Sequence, residues 1–130
     1  MKGEIDQPRR DLPERTFAFA RRVVKLCQVL DRSPGVCRTL ANQLLRSGTS
    51  IGANVEEAVG GSSKKDFLHK ITISYKEARE SLYWLRLISE FKVKDRKQVD
   101  DAISLCNELL RIIGTIQLKM KDNENKTELN

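Results

Sequence analysis

Apolar residues recur at alternating steps of three and four in four successive segments of this chain, and this spacing constrains its fold more than any other feature. The spacing places apolar side chains along one side of an α-helix. The last segment shows it most clearly, with Val99, Ala102, Cys106, Leu109, Ile113, Ile116 and Met120. Four helices with one such stripe each are typical of an all-α, left-handed four-helix bundle.

The three earlier segments carry comparable stripes. The first is predicted to pack through Phe17, Ala20, Val24 and Cys27. The second is predicted to pack through Cys37, Leu40, Leu44, Ser47, Ile51, Asn54 and Ala58, and the third through Phe67, Ile71, Ser74, Ala78, Ser81, Leu85 and Ile88. Because the links between segments are short, consecutive helices are predicted to be antiparallel neighbours in an up-down bundle.

Local start signals give the boundary of the first helix and of the domain. Asp11 with Glu14 has the form of a capping box, and Pro13 is tolerated in a first turn, so a helix is predicted from about Leu12 to Leu30. We therefore expect a flexible segment at residues 1–11 and a bundle at residues 12–121. The polar tail at residues 122–130 is predicted to be disordered.

The remaining boundaries follow from similar signals. The second helix is predicted to begin after Ser33, with Pro34 at its first position, and to end at Gly60 and Gly61. Ser63 with Asp66 and Asp95 with Gln98 have the form of capping pairs. We therefore expect the third helix to reach about Phe91 and the fourth to fray near Lys121.

Composition favours a cytoplasmic protein. No apolar run approaches the ~20 residues that span a bilayer, and the first fourteen residues lack an apolar signal segment. The three cysteines, Cys27, Cys37 and Cys106, are widely spaced and fit neither a disulfide framework nor a metal-binding pair. We expect them to be free thiols buried in helices.

Small and polar residues on the second and third helices predict a close helix contact. An antiparallel hairpin about residue 61 places Ser47 and Gly48 roughly opposite Ser74. The set Ser47, Asn54, Glu57, Ser74 and Glu77 is interpreted as a structural polar seam, in which the polar groups fix the helix register and hydrogen-bond one another.

The third and fourth helices carry more apolar residues than one stripe needs. The additional residues are Leu68, Ile73, Tyr75, Leu82, Tyr83, Trp84, Leu87, Phe91, Ile103, Leu105, Leu110 and Ile112. One bundle core is not expected to bury all of them, and large exposed apolar patches usually mark an interface. The surplus therefore predicts self-association.

Two runs of residues resemble a bacterial family of four-helix-bundle proteins related to the product of an intervening sequence in 23S rRNA genes. The first run matches at Gln43, Arg46, Ser47, Ser50, Ile51, Ala53, Asn54 and Glu57. The second matches at Asp66, Phe67, Lys76, Glu77, Ala78, Glu80, Tyr83, Trp84 and Leu85. The chain departs at Ala58 and Val59, where many relatives have glycine directly after the glutamate.

The resemblance implies a bundle that assembles as a homopentamer and has no catalytic activity or cofactor. A more distant relative is the accessory variability determinant of diversity-generating retroelements, a basic pentameric barrel that binds nucleic acid. This relation makes RNA or DNA a candidate partner.

The sequence offers little for catalysis or for metal binding. A di-metal site in a bundle needs Glu-x-x-His pairs on two helices, whereas His69 is the single histidine. A catalytic triad has no positional support either. We therefore predict no metal, no catalytic residues and no enzyme activity.

Basic residues on the first helix form the candidate functional site. The net charge is +6, and residues 15–55 hold seven basic residues against one acidic residue. Arg15, Arg22, Lys25 and Arg32 share one face of the helix, and Arg21 borders it. Repeated around a pentamer, this stripe could neutralise phosphates without reading bases. An ordinary solvated face is the alternative interpretation, and no interleaved aromatic residues support stacking of a single strand.

Two functional hypotheses of different classes follow. The first is a self-assembling bundle that binds nucleic acid through backbone charge. The second is a protein-binding scaffold or adaptor that uses the apolar surface of the third and fourth helices. A bundle that binds a small molecule or a metal is a weaker third hypothesis. Salt-dependent retention on RNA or DNA distinguishes the first two hypotheses.

Overall fold

Four long helices account for nearly all of the described chain. The computed structural model describes residues 2–32, 35–91 and 95–129, with side chains for residues 11–32, 35–91 and 95–126. The helices are α1 (Lys2–Leu30), α2 (Val36–Val59), α3 (Lys64–Ser89) and α4 (Arg96–Leu129). The described residues include no β-strand. The predicted all-α four-helix bundle is confirmed.

The α2–α3 turn has the local chemistry that the sequence predicts. The Gly60 N–H donates to the Glu56 carbonyl at 3.0 Å and closes α2. The Ser63 hydroxyl accepts a hydrogen bond from the Asp66 N–H at 3.0 Å, which caps the first turn of α3. This turn reverses the chain in four residues, so α2 and α3 pack as an antiparallel hairpin.

The start of α2 depends on a glycine. Gly35 precedes the helix with a φ of 88°, in the left-handed region that glycine adopts at little energetic cost. The predicted start signal at Ser33 and Pro34 lies outside the described residues. The third helix ends at Ser89, two positions before the predicted end, and the fourth begins at Arg96, directly after Asp95.

The outer ends of α1 and α4 differ from the prediction. The first helix begins at Lys2 rather than near Leu12, so the pattern at Asp11 and Glu14 does not mark a helix start. Pro8 and Pro13 each remove one backbone donor without ending the helix, and the stretch before Pro13 also contains the good helix formers Lys2, Glu4, Gln7, Arg9 and Arg10. The fourth helix continues past Lys121 to Leu129. The predicted flexibility of residues 1–11 and 122–130 stays a prediction.

Each helix contacts two neighbours, in the cyclic order α1, α2, α3, α4. The Ser81 hydroxyl donates to the Ser47 hydroxyl at 2.9 Å, and the Ser74 hydroxyl donates to the Ile51 carbonyl at 2.9 Å. These contacts confirm the close approach of α2 and α3. They also correct its register, because Ser47 lies opposite Ser81 rather than Ser74. The hairpin is centred nearer residue 63 than residue 61, and this displacement shifts every facing pair.

The core lies along the stripes predicted for α2, α3 and α4. Its fully or nearly buried apolar members from these helices are Ala41, Leu44, Ile51, Val55, Ala58, Ile71, Ala78, Leu85, Ile88, Val99, Ala102, Cys106, Leu109 and Ile113. Leu40, Phe67 and Ile116 are partly buried against this core. The predicted stripes therefore describe α3 and α4 well. In α2, Ala41 and Val55 lie outside the predicted stripe, and its members Cys37 and Asn54 are only half-buried.

The predicted stripe of α1 is wrong. Phe17 is 61% exposed and Val24 is 38% exposed. The buried stripe instead consists of Leu12, Thr16, Phe19, Val23, Leu26 and Leu30. Of the predicted set, Cys27 is buried and Ala20 is half-buried. The helix carries two apolar stripes at suitable spacing, and the one with more large side chains faces the core.

Two glycines of α2 accommodate this face of α1. A Cβ atom on Gly48 would lie 2.9 Å from Cγ1 of Val23, and one on Gly52 would lie 3.2 Å from Oγ1 of Thr16. The Thr16 hydroxyl donates to the Leu12 carbonyl at 2.8 Å, so the buried oxygen is satisfied within α1. The glycines therefore serve the α1–α2 contact, whereas the serines serve the α2–α3 contact.

The bundle covers the surplus apolar residues of α3 and α4 only in part. Tyr75, Leu82, Trp84, Ile103, Leu105, Leu110 and Ile112 are partly buried against the core. The exposed large apolar residues in the described part of the chain are Phe17, Val24, Val36, Leu45, Val59, Tyr83, Phe91 and Leu118. None of the twelve surplus residues is fully buried, so the expectation that one core does not bury all of them is confirmed.

Candidate nucleic-acid interface

The outer side of α1 follows from the register of its core stripe. Because Leu12, Phe19 and Leu26 point into the bundle, residues about half a helical turn away point to solvent. Arg21, Lys25 and Arg32 belong to this outer side and are exposed. Three of the five predicted cationic residues are thus presented away from the bundle on one helix.

The other two predicted residues face α4. Arg15 forms an ion pair with Glu108, and an Arg22 guanidinium nitrogen lies 3.6 Å from a carboxylate oxygen of Asp101. All four side chains remain partly exposed, so each pair contributes little to stability. The acids lower the positive potential at this edge of α1. The predicted stripe is therefore divided into two paired cations and three outer cations.

The three outer cations have no carboxylate partner among the described residues. No ion pair involves Lys25 or Arg32 within this part of the chain. The Arg21 guanidinium lies over the exposed Phe17 ring, with its Cζ atom 5.2 Å from the ring centroid. These charges therefore remain available to an anionic ligand.

A groove runs along the α1–α4 edge beside these cations. Its volume is about 400 Å³, and its lining consists of Ala18, Arg21, Arg22, Lys25 and Gln98. The small Ala18 leaves the floor open. The guanidinium and ammonium groups are donors that suit phosphate oxygens, and the Gln98 amide can donate or accept. We call this depression the cationic groove.

A second depression lies next to the cationic groove on α1. Its volume is also about 400 Å³, and it is lined by Pro13, Glu14, Phe17, Ala18, Arg21 and Glu56. It shares Ala18 and Arg21 with the cationic groove. We call it the aromatic depression. The sequence analysis missed Phe17 here because it assigned that residue to the core, and it missed Gln98 because the α1–α4 register was unknown.

The predicted polar seam lies along the contact between α2 and α3. Ser47 and Ser74 are fully buried at the α2–α3 contact. Glu57 pairs with Lys70 at 2.7 Å, and Glu77 pairs with Arg46 at 3.4 Å. Asn54 donates to the Ser50 carbonyl at 2.8 Å. These three partly exposed polar residues therefore bind other partners and not one another, since the hairpin register separates them.

The buried thiols are unsuited to chemistry at neutral pH. Burial, with a smaller contribution from the Asp31 carboxylate, raises the pKa of Cys27 to about 12. Burial also raises the pKa of Cys106 to about 12. Their sulfurs lie 3.3 and 3.2 Å from the backbone carbonyl oxygens of Ala41 and Ala78. Both thiols therefore stay protonated and packed. Cys37 is half-buried, so the predicted burial holds for two of the three cysteines.

Other sites in the described residues give weak chemical signals. No group of three or more His, Cys, Asp or Glu side chains there is placed to hold a metal ion. His69 is exposed on α3. An apolar cavity of about 260 Å³ lies at one end of the bundle, lined by Leu30, Val36, Cys37, Leu40, Ile88 and Phe91. This lining lacks the convergent polar groups that usually orient a small ligand.

None of the described helices contains an apolar stretch of the length needed to cross a bilayer.

Comparison with protein families decides the relationship of the chain. The model of the family described as 23S rRNA-intervening sequence protein matches residues 11–115, which contain the core of all four helices. The chain belongs to this family. The match includes both runs of residues from which the resemblance was inferred, and the predicted relationship is confirmed.

A solved structure supports the same relationship. A protein of unknown function from the S23 ribosomal protein family of Bacteroides thetaiotaomicron is similar, with 34% identity and a TM-score of 0.73. The similarity covers 81% of this chain and 96% of that chain. No curated protein matches the chain. The similar protein has no established activity, so this relationship assigns no activity to the chain.

Proposed function

We propose that this chain is a non-enzymatic, self-assembling four-helix bundle that binds nucleic acid in the cytoplasm through the phosphate backbone. The observation that carries the proposal is the set of three outer cations, Arg21, Lys25 and Arg32, which lack carboxylate partners among the described residues. Two of them line the cationic groove.

Charge at this site gives affinity without base recognition. Lysine and arginine that contact phosphates release condensed counterions, so affinity falls steeply as salt rises. Arg15 and Arg22 contribute less than the outer cations because Glu108 and Asp101 already compensate their charge. Contacts to the backbone carry no direct sequence information, so preference among sequences is expected to be slight.

Self-assembly multiplies a site that is weak in one chain. Three outer cations neutralise only a few phosphates, whereas a ring of five chains presents the set five times. Binding at several sites on one strand raises the overall affinity through effective concentration. Exposed Leu45, Val59 and Tyr83 provide apolar surface that contact between chains could cover.

The protein-scaffold hypothesis keeps less support than it had from the sequence. Seven of the twelve surplus apolar residues of α3 and α4 are partly buried against the core, whereas Tyr83 and Phe91 are strongly exposed. A scaffold would bind through these residues at any salt concentration. Salt dependence therefore distinguishes the two functions.

A pair of charge-matched variants tests the proposal. Arg21, Lys25 and Arg32 are changed together to Gln, and the control changes Lys76, Arg79 and Arg86, three exposed basic residues of α3, to Gln. Fluorescence anisotropy with a labelled RNA or DNA oligonucleotide is measured across a salt series. The α1 variant should reduce the magnitude of the slope of log K against log salt by about 3 for each chain that contacts the strand, roughly one for each lost phosphate contact.

The control should retain the wild-type slope, because it loses the same charge from a different face. Helicity should be unchanged in both variants, since the altered side chains are exposed. Equal slopes in the α1 variant and the wild type would contradict the proposed interface. The absence of binding at low salt would leave the scaffold hypothesis as the better account.

A further inference from the structure

Phe17 is a large aromatic residue that lies outside the core of the bundle. Its side chain is 61% exposed, whereas Phe19 on the same helix is 1% exposed. Exposing a large aromatic ring to water is unfavourable in proportion to the apolar area that is exposed. Arg21 covers part of the ring, with its Cζ atom 5.2 Å from the centroid.

The environment of the ring is divided by charge. The aromatic depression contains the carboxylates of Glu14 and Glu56 next to Phe17. The adjoining cationic groove contains Arg22 and Lys25. A phosphate is repelled by the first depression and attracted by the second. An uncharged planar group is favoured on the ring, where the carboxylates do not repel it.

The two depressions adjoin each other, because Ala18 and Arg21 line both of them. Phe17 and Lys25 are eight positions apart on one helix, which is about 12 Å along its axis. A strand that follows α1 can therefore place a base on Phe17 while phosphates further along the same strand contact Arg22 and Lys25.

We propose that α1 selects single-stranded over double-stranded nucleic acid by stacking an unpaired base on Phe17. This inference rests on the proposed function, because the phosphates are held by the same helix. In a duplex the bases are paired and stacked on one another, so their faces cannot reach the ring. In a single strand any base can stack, and the selection concerns strandedness rather than sequence.

Four proteins test the inference: the wild type, Phe17→Ala, Phe17→Trp and the control Val24→Ala. Val24 is also apolar and exposed, and it lies two helical turns along from Phe17. The probes are a labelled oligo-dT strand of about 20 nucleotides, longer than a usual single-strand site, and a labelled duplex of the same length. Anisotropy titrations at one low salt concentration give Kd for each pair, and light scattering gives the mass of each variant.

Phe17→Ala should weaken binding of the single strand by about tenfold, the effect of losing one stacked base. Its Kd for the duplex should change by less than about twofold, since the phosphate contacts remain. Phe17→Trp should retain single-strand binding because indole offers a larger stacking face. Val24→Ala should behave as the wild type with both probes.

Several results would overturn the inference. Equal wild-type affinity for strand and duplex would remove the selection while leaving the proposed phosphate binding intact. A single-strand Kd that Phe17→Ala leaves unchanged would do the same. A loss of assembled mass in Phe17→Ala would assign the ring to a contact between chains. Failure of both probes to bind the wild type would remove the proposed function as well.

Discussion

At the scale of single residues, two phenylalanines on α1 separate core from surface. Phe17 and Phe19 are two positions apart, which is about 200° around a helix, and their exposures are 61% and 1%. Each belongs to an apolar stripe with suitable spacing. What decides between the stripes is the partner helix, because Gly48 leaves room for Val23 at the α1–α2 contact.

This assignment predicts unequal costs for two similar substitutions. Phe19→Ala should lower the free energy of unfolding by about 3–5 kcal/mol, because it removes a fully buried ring and leaves a cavity. Phe17→Ala should change it by less than about 0.5 kcal/mol, as is usual for an exposed position. Urea denaturation followed by circular dichroism measures both. Similar costs for the two variants would mean that α1 is rotated from the orientation described.

At the scale of helices, small residues serve two different contacts. Serines lie between α2 and α3, where the hydroxyls of Ser47 and Ser81 meet at 2.9 Å. Glycines lie between α2 and α1. Spacing alone predicted that small residues mark close approach, but it assigned all of them to the α2–α3 contact. The distinction depends on side-chain direction around α2, which becomes clear only when both neighbours of that helix are placed.

The α2–α3 contact predicts that adding volume there is more harmful than removing it nearby. Ser74→Leu inserts a larger side chain at a fully buried position whose hydroxyl lies 2.9 Å from the Ile51 carbonyl oxygen, so overpacking should cost roughly 1–3 kcal/mol. Leu82→Ala removes a side chain that is only partly buried and should cost less. Thermal melts compare the two. A larger loss of stability in Leu82→Ala would show that α2 and α3 tolerate separation.

Sequence reasoning succeeded where the determinants are local. The capping pair at Ser63 and Asp66 and the stop at Gly60 depend on neighbouring residues and were predicted. The orientation of α1 was not predicted correctly, because that helix carries two apolar stripes and either could face the core. The division of the basic stripe into paired cations and outer cations was not predictable from the sequence either. Whether Arg15 or Lys25 meets a carboxylate depends on the register of α1 against α4, which no local pattern specifies.

At the scale of the whole molecule, the proposed function depends on repetition. One chain presents three outer cations on α1, and the remaining positive charge is spread over other faces or compensated by acids. A single set is too small to hold a strand at physiological salt, where each phosphate contact is screened. Assembly places equivalent stripes around one particle and makes binding multivalent. Self-assembly is therefore the central claim about how this bundle acts.

The mass of the particle in solution tests that claim most directly. Size-exclusion chromatography with multi-angle light scattering, at micromolar concentration and at two salt concentrations, measures it without a ligand. The account predicts a mass five times that of the 14.9 kDa chain. It also predicts that the mass is insensitive to salt, because apolar surface rather than ion pairing drives the contact between chains. A mass of 14.9 kDa at every concentration would contradict it.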